Sequence, residues 1–206
     1  MVTTPRLIVI ALCAALNFSI GSIVYLIKLP VYLDSIGTIL CALLLYPDRT
    51  GGFLCAWATA WTSLVVSTFV NPFLPWFGAT DIAIALVSAL ATARAAEIFR
   101  ARPLATSQFA VSVVAFGILT GIVAAVVSAP VVVYLFGGVT GSGSAFVLAF
   151  FLKTGQQLMS AAVLSGLAAD PVDKVLQVLL AALLYRATPG DFIALLHRDP
   201  PAGAKP

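Results

Sequence analysis

Ionisable side chains are scarce in this chain of 206 residues: Asp, Glu, Lys and Arg together make up 9%, and the single histidine is His197. That scarcity excludes whole classes of chemistry. There is no His-Glu-x-x-His, so a zinc protease built on that helix is ruled out. A Gly-x-x-x-x-Gly-Lys-Ser/Thr phosphate loop is also missing, because the glycine-rich "GGVTGSGS" at 137–144 lacks the lysine. Within it, "GSGS" at 141–144 has no histidine in an apolar segment to serve as base for a serine nucleophile. Lys and Arg number 11 against 8 acids, a net charge of +3 spread over termini and loops. Without a basic cluster interleaved with aromatics, no nucleic-acid face is expected. Cys13, Cys41 and Cys55 are odd in number and lack Cys-x-x-Cys spacing, so they read as small buried hydrophobes. These absences predict a protein that is not an enzyme and carries no cofactor.

What the chain has in abundance is apolar surface: 61% hydrophobic residues and a mean hydropathy of +1.09, far from the usage of soluble domains. The reading is an all-α integral membrane protein, one domain over 1–206, with room for about six or seven spans of roughly 20 residues. The first apolar run resembles a signal peptide behind Arg6 but continues to about residue 29, a length that favours a retained helix. Helices are predicted at 7–29, 35–46, 52–70, 79–99, 108–136 and 172–185, with Pro130 as a kink. Asp170–Pro171 is taken as the start of the last helix, since proline suits a first helical turn. The stretch 144–168 is apolar but interrupted by Lys153, Thr154, Gly155, Gln156 and Gln157, so it is read as re-entrant or membrane-lying, broken at Thr154–Gly155. Its alternative is a seventh span. Basic residues at Arg6, Arg49, Arg94, Arg100 and the tail place both termini in the cytoplasm of a multi-pass cell-membrane protein under an even count.

Polar groups in such a setting are candidates for function, because each must be paired, hydrated or used. Asn17, Tyr32, Asp34, Asn71, Trp76, Asp81, Lys153, Gln156 and Gln157 fall where helices meet loops and form a candidate small-molecule site. Each has a structural alternative. Asp34 and Asp81 precede apolar runs and would serve as N-caps; Asn17 would bond between helices; Lys153 would snorkel; Trp76 would sit in an aromatic belt. Two stripes of small residues, Ala11/Ala15/Ser19 and Gly117/Gly121/Ala125, permit close helix approach, either inside the bundle or against another membrane protein. Isolated acids at different helix ends leave a metal-dependent membrane enzyme as the weakest reading. A sensor or scaffold bundle that binds a ligand without transporting it stands above that.

Three stretches, "ALCAALNFSIGS", "KLPVYLDSIGTILCALLLYPDRTGG" and "DPVDKVLQVLLAALLYRATP", in this order and spacing, resemble the substrate-binding S components of energy-coupling factor (ECF) transporters, a vitamin-uptake class of ABC importer. The middle stretch carries most of the likeness, a Pro-x-x-x-Asp loop before helix 2 and a tight turn after it. The resemblance implies a six-helix protein that captures a vitamin-like small molecule, with the loop around Asp34 as a lid. It further implies that the Ala11/Ala15 face docks on a transmembrane coupling subunit, and that two separate ATPase subunits drive uptake.

Overall fold

The computed structural model describes residues 3–72, 74–101 and 106–197. Within them lie eight α-helices and no β-strand: α1 (Thr4–Leu26), α2 (Ile36–Leu44), α3 (Arg49–Ser67), α4 (Gly78–Arg100), α5 (Thr106–Tyr134), α6 (Ser144–Lys153), α7 (Leu158–Ala187) and α8 (Gly190–Leu196). A 3₁₀ turn, Leu74–Phe77, leads into α4.

Local chemistry explains several boundaries. Pro5 sits in the first turn of α1, where its missing N–H is harmless. Asp48 caps α3, its carboxylate accepting the Gly51 N–H at 2.8 Å. Arg6 reaches the same carboxylate at 3.1 Å and donates through Nε to the Leu196 carbonyl. The start of α1, the α2–α3 turn and α8 therefore share one end of the bundle. Arg100 and Arg186 complete that end by binding the Thr188, Phe99 and Ala101 carbonyls.

The centre is α2, every residue of which is buried. Nine residues span only about 13.5 Å. Gly37 lets α2 approach α1 so closely that a Cβ there would meet the Cys13 backbone. Cys13, Cys41 and Cys55 are free and buried around it, as their apolar settings predict. The second close contact joins α5 to α7. A Cβ on Gly121 would fall 2.5 Å from Pro171 Cα, and Gly117 and Gly166 face Val175 and Ala125 in the same seam. The Gly117/Gly121/Ala125 stripe thus packs inside the bundle, whereas Ala11, Ala15 and Ser19 are exposed.

Three expectations change. Asp170–Pro171 does not begin a helix, because α7 runs unbroken from Leu158 through Pro171 to Ala187. A start at that depth would strand four N–H groups among packed helices, and the flat face around Pro171 fits against Gly121 instead. Segment 144–168 becomes a hairpin, α6 followed by the first turns of α7, with its break at 154–157 and Gly155 in the left-handed region (φ +88°). The helix predicted at 35–46 shortens to Ile36–Leu44, with residues 27–35 forming a strap beside it. By length and composition, three helical stretches suit a membrane crossing: Thr4–Leu26, Leu74–Arg100 and Thr106–Tyr134. The others fall short for stated reasons: α2 is short, and α7 carries Asp170, Asp173 and Lys174 at mid-length. Large apolar side chains such as Leu12, Trp61, Phe69, Val111 and Phe146 cover the exterior, the composition of a lipid-facing surface.

Candidate functional site

A cavity of about 120 Å³ opens at the end of the bundle opposite Arg6 and Arg186. Five of the predicted residues meet on its wall: Asn17 from α1, Tyr32 and Asp34 from the strap, Asn71 from the α3–α4 connection and Asp81 from the first turn of α4. Trp76 is exposed and outside that wall. Lys153, Gln156 and Gln157 lie exposed at the α6–α7 hairpin tip, also away from the cavity.

The capping alternatives for the acids are not what the structure contains. The N-cap of α2 is Ser35 and that of α4 is Phe77, neither with a side-chain cap bond. Asp34 instead accepts from the Ser35 hydroxyl at 3.0 Å and lies 3.5 Å from Lys174 Nζ. Asn17 does bond between helices: its amide donates to Thr38 Oγ1 (3.0 Å) and its carbonyl accepts the Gly37 N–H (2.6 Å). That fixes the α1–α2 contact on which the cavity floor rests.

The sequence reading missed the most connected group. Asp173, fully buried, accepts the backbone N–H groups of Tyr32 (2.9 Å) and Leu33 (3.0 Å) on Oδ1. Its Oδ2 accepts Lys174 Nζ (2.8 Å) and Gln177 Nε2 (2.7 Å). Gln177 in turn accepts the Ser35 N–H at 3.1 Å. Two side chains of α7 therefore satisfy three N–H groups of the strap, which allows non-helical backbone to lie inside the protein. Leu33 holds φ at +50° in this grip, a conformation that non-glycine residues adopt when the surroundings enforce it. The signal was present as Asp170, Asp173, Lys174 and Gln177, spaced to share one helical face. Reading Asp170–Pro171 as a terminus concealed it.

The cavity mouth is edged by hydroxyls. Tyr32 Oη donates to Ser144 Oγ (2.7 Å), and Ser144, Ser142 and Thr140 continue the chain at 2.8 and 2.9 Å. Lys28 bridges the same mouth through the Gly141 carbonyl at 2.6 Å. Among the described residues, no three His, Cys, Asp or Glu side chains are placed to hold a metal ion.

Fold and site together define a class: an all-helical bundle with an apolar exterior and a largely apolar cavity that carries a few polar groups, beneath a strap tied to the last long helix. Compared with known proteins, the chain matches no family model, no curated protein and no solved structure.

Proposed function

We propose that this chain is the substrate-capturing subunit of an ECF-type importer in the cell membrane, taking up a vitamin-like small molecule for transport driven by partner subunits. One observation carries the reading: a cavity at one end of the bundle gathers Asn17, Tyr32, Asp34, Asn71 and Asp81 beneath a strap that α7 holds in place. Apolar lining with a few convergent polar groups is the character of small-molecule sites. Arg6, Arg100 and Arg186 gather at the other end, and basic residues favour the cytoplasmic side, so the cavity faces outward. Six crossings follow if α2 and its strap together count as one. The chain contains no phosphate loop of its own, which suits a subunit whose ATP hydrolysis is supplied by two ATPases through a membrane coupling subunit. Ala11 and Ala15 present a shallow exposed face on α1 for that coupling subunit.

The test combines retention and uptake. Mass spectrometry of the protein purified in mild detergent should reveal a bound small molecule. Ala11→Leu/Ala15→Leu should keep that molecule yet lose cellular uptake in the presence of the partners. Ligand retained with no uptake by the unaltered protein and its partners would favour a sensor, and uptake independent of any ATPase would overturn the ECF reading. Loss of the ligand in this variant would place the α1 face inside the bundle.

A further inference from the structure

The wall of the cavity is unbalanced in charge. Asp34, Asp81 and Asp170 line it and Asp173 stands directly behind, whereas Lys174 is the sole cation on it among the described residues. Lys174 is already committed, at 2.8 Å to Asp173 and 3.5 Å to Asp34. Lys28, at the mouth, is held by the Gly141 carbonyl and lies 4.3 Å from the centre of the Tyr25 ring. Among the described residues, neither half-buried Asp81 nor Asp170, only 6% exposed, has a hydrogen bond or an ion pair. Two hydroxyls on the same wall, Ser22 Oγ and Thr80 Oγ1, are shielded from solvent and likewise lack a partner.

Buried polar atoms in folded proteins are almost always paired, and an unpaired buried carboxylate is the costliest kind to leave. Four unmatched groups on one wall describe the outline of something that matches them. Protonating the acids does not resolve the deficit, since each new O–H would itself need an acceptor. A bare metal ion does not fit either, because among the described residues no three His, Cys, Asp or Glu side chains converge and hard cations demand six or more oxygens. An anion would face three carboxylates. Much of the remaining wall is apolar, with Leu64, Leu74, Phe77, Ile84 and Val132. In size, the space of about 120 Å³ compares with the roughly 150 Å³ that accommodates a benzene ring.

We propose that the captured molecule is a small organic cation, a protonated amine or a positively charged nitrogen heterocycle, whose charge lies on the acidic wall to which Asp34, Asp81 and Asp170 contribute and whose apolar body lies against Phe77 and Ile84. The inference rests on the capture reading and specifies the chemical class that the cavity accepts. Ser22 and Thr80 supply hydrogen bonds to the ligand's polar substituents. Lys174 holds Asp173 and Asp34 in place and repels a second positive charge, so a singly charged head is favoured over a dication.

The experiment compares three probes of one shape on the purified protein in detergent: benzylammonium, benzyl alcohol and benzoate, by calorimetric titration after removal of any retained ligand. Benzylammonium should bind at least about tenfold more tightly than the alcohol, and benzoate not detectably, as expected for one charge-assisted contact. In Asp81→Asn/Asp170→Asn that preference should fall to within about threefold. Glu97→Gln, which alters a carboxylate bound to Tyr46 at the far end of α4, should retain it. Equal affinity of the cation and the alcohol, a preference for benzoate, or a preference that survives the double substitution would overturn the charge assignment and leave capture standing. So would a retained molecule that mass spectrometry shows to be neutral or anionic. Failure of all three probes at millimolar concentration, together with no retained molecule, would overturn both. The comparison on the unaltered protein decides the matter even if the variant does not fold.

Discussion

Asp173 has no exposed surface, yet its two oxygens accept four hydrogen bonds, two from strap backbone and two from its own helix. The carboxylate is the hub through which α7 controls the shape of residues 31–35. Replacing it with alanine removes the acceptors of two buried N–H groups and strips Lys174 of its nearest counter-charge. Breaking a buried pair from one side costs about 3–5 kcal/mol. Asp173→Ala should therefore lower the thermal unfolding midpoint in detergent by far more than a surface substitution. Asp173→Asn/Lys174→Met, which removes both charges and keeps one acceptor, should recover more than half of that loss. A midpoint unchanged in Asp173→Ala would mean that the strap is held by other contacts. Asn17 works on the same principle from α1, but it is neutral, so its removal exposes unpaired dipoles rather than a stranded charge.

At the scale of helices, the decisive contact is the α5–α7 seam. Gly121→Val would drive a branched side chain into the backbone of Pro171, where there is no flexible neighbour to give way. Overpacking of this kind costs about 1–3 kcal/mol, and more where both partners are backbone; loss of monodisperse elution or a lowered unfolding midpoint would register it. The small-residue stripe was legible in the sequence because a four-residue spacing maps directly onto one helical face. Its partner was not legible, since spacing on one helix carries no information about which helix it meets. Asp170–Pro171 was misread for a related reason: the local preference of proline for a first turn was overridden by packing that only the assembled bundle supplies. The α2–α3 turn gives a pH-dependent check. The Gly51 N–H first, and Arg6 with it, hold the Asp48 carboxyl below its usual range. A carboxyl lowered in the folded state contributes stability that is fully present above the unfolded value, about pH 4, and is lost as pH falls through the lowered folded value. Asp48→Asn should therefore match the parent protein's acid sensitivity less well below about pH 4, with a shallower fall in unfolding midpoint.

For the molecule as a whole, composition alone revealed the apolar, helical class, and five of nine candidate residues do meet in one cavity. The four that do not, Trp76 and the group at 153–157, lie on connections whose course no periodicity constrains. Arg6 and Leu196 are joined, so the two described ends of the chain lie together. The proposed function predicts an even number of crossings with this basic end in the cytoplasm. A cysteine added after Pro206, in a background lacking Cys13, Cys41 and Cys55, should resist impermeant maleimide in intact cells and react after lysis. Reaction from outside would reverse the orientation.

The strap itself has a consequence for traffic. Residues 32, 33 and 35 are bolted to α7 from beneath by Asp173 and Gln177, whereas the far rim of the mouth, carrying Gly137, Gly138 and Gly141 at positive φ, meets the strap side through Lys28 to Gly141, Tyr32 to Ser144 and the packing of Gly143 on the Lys28–Leu29 backbone. Under the capture proposal the glycine-bearing rim is the door and the strap its fixed jamb, and weakening the Lys28–Gly141 and Tyr32–Ser144 contacts should change how fast a guest arrives and departs more than how tightly it is held.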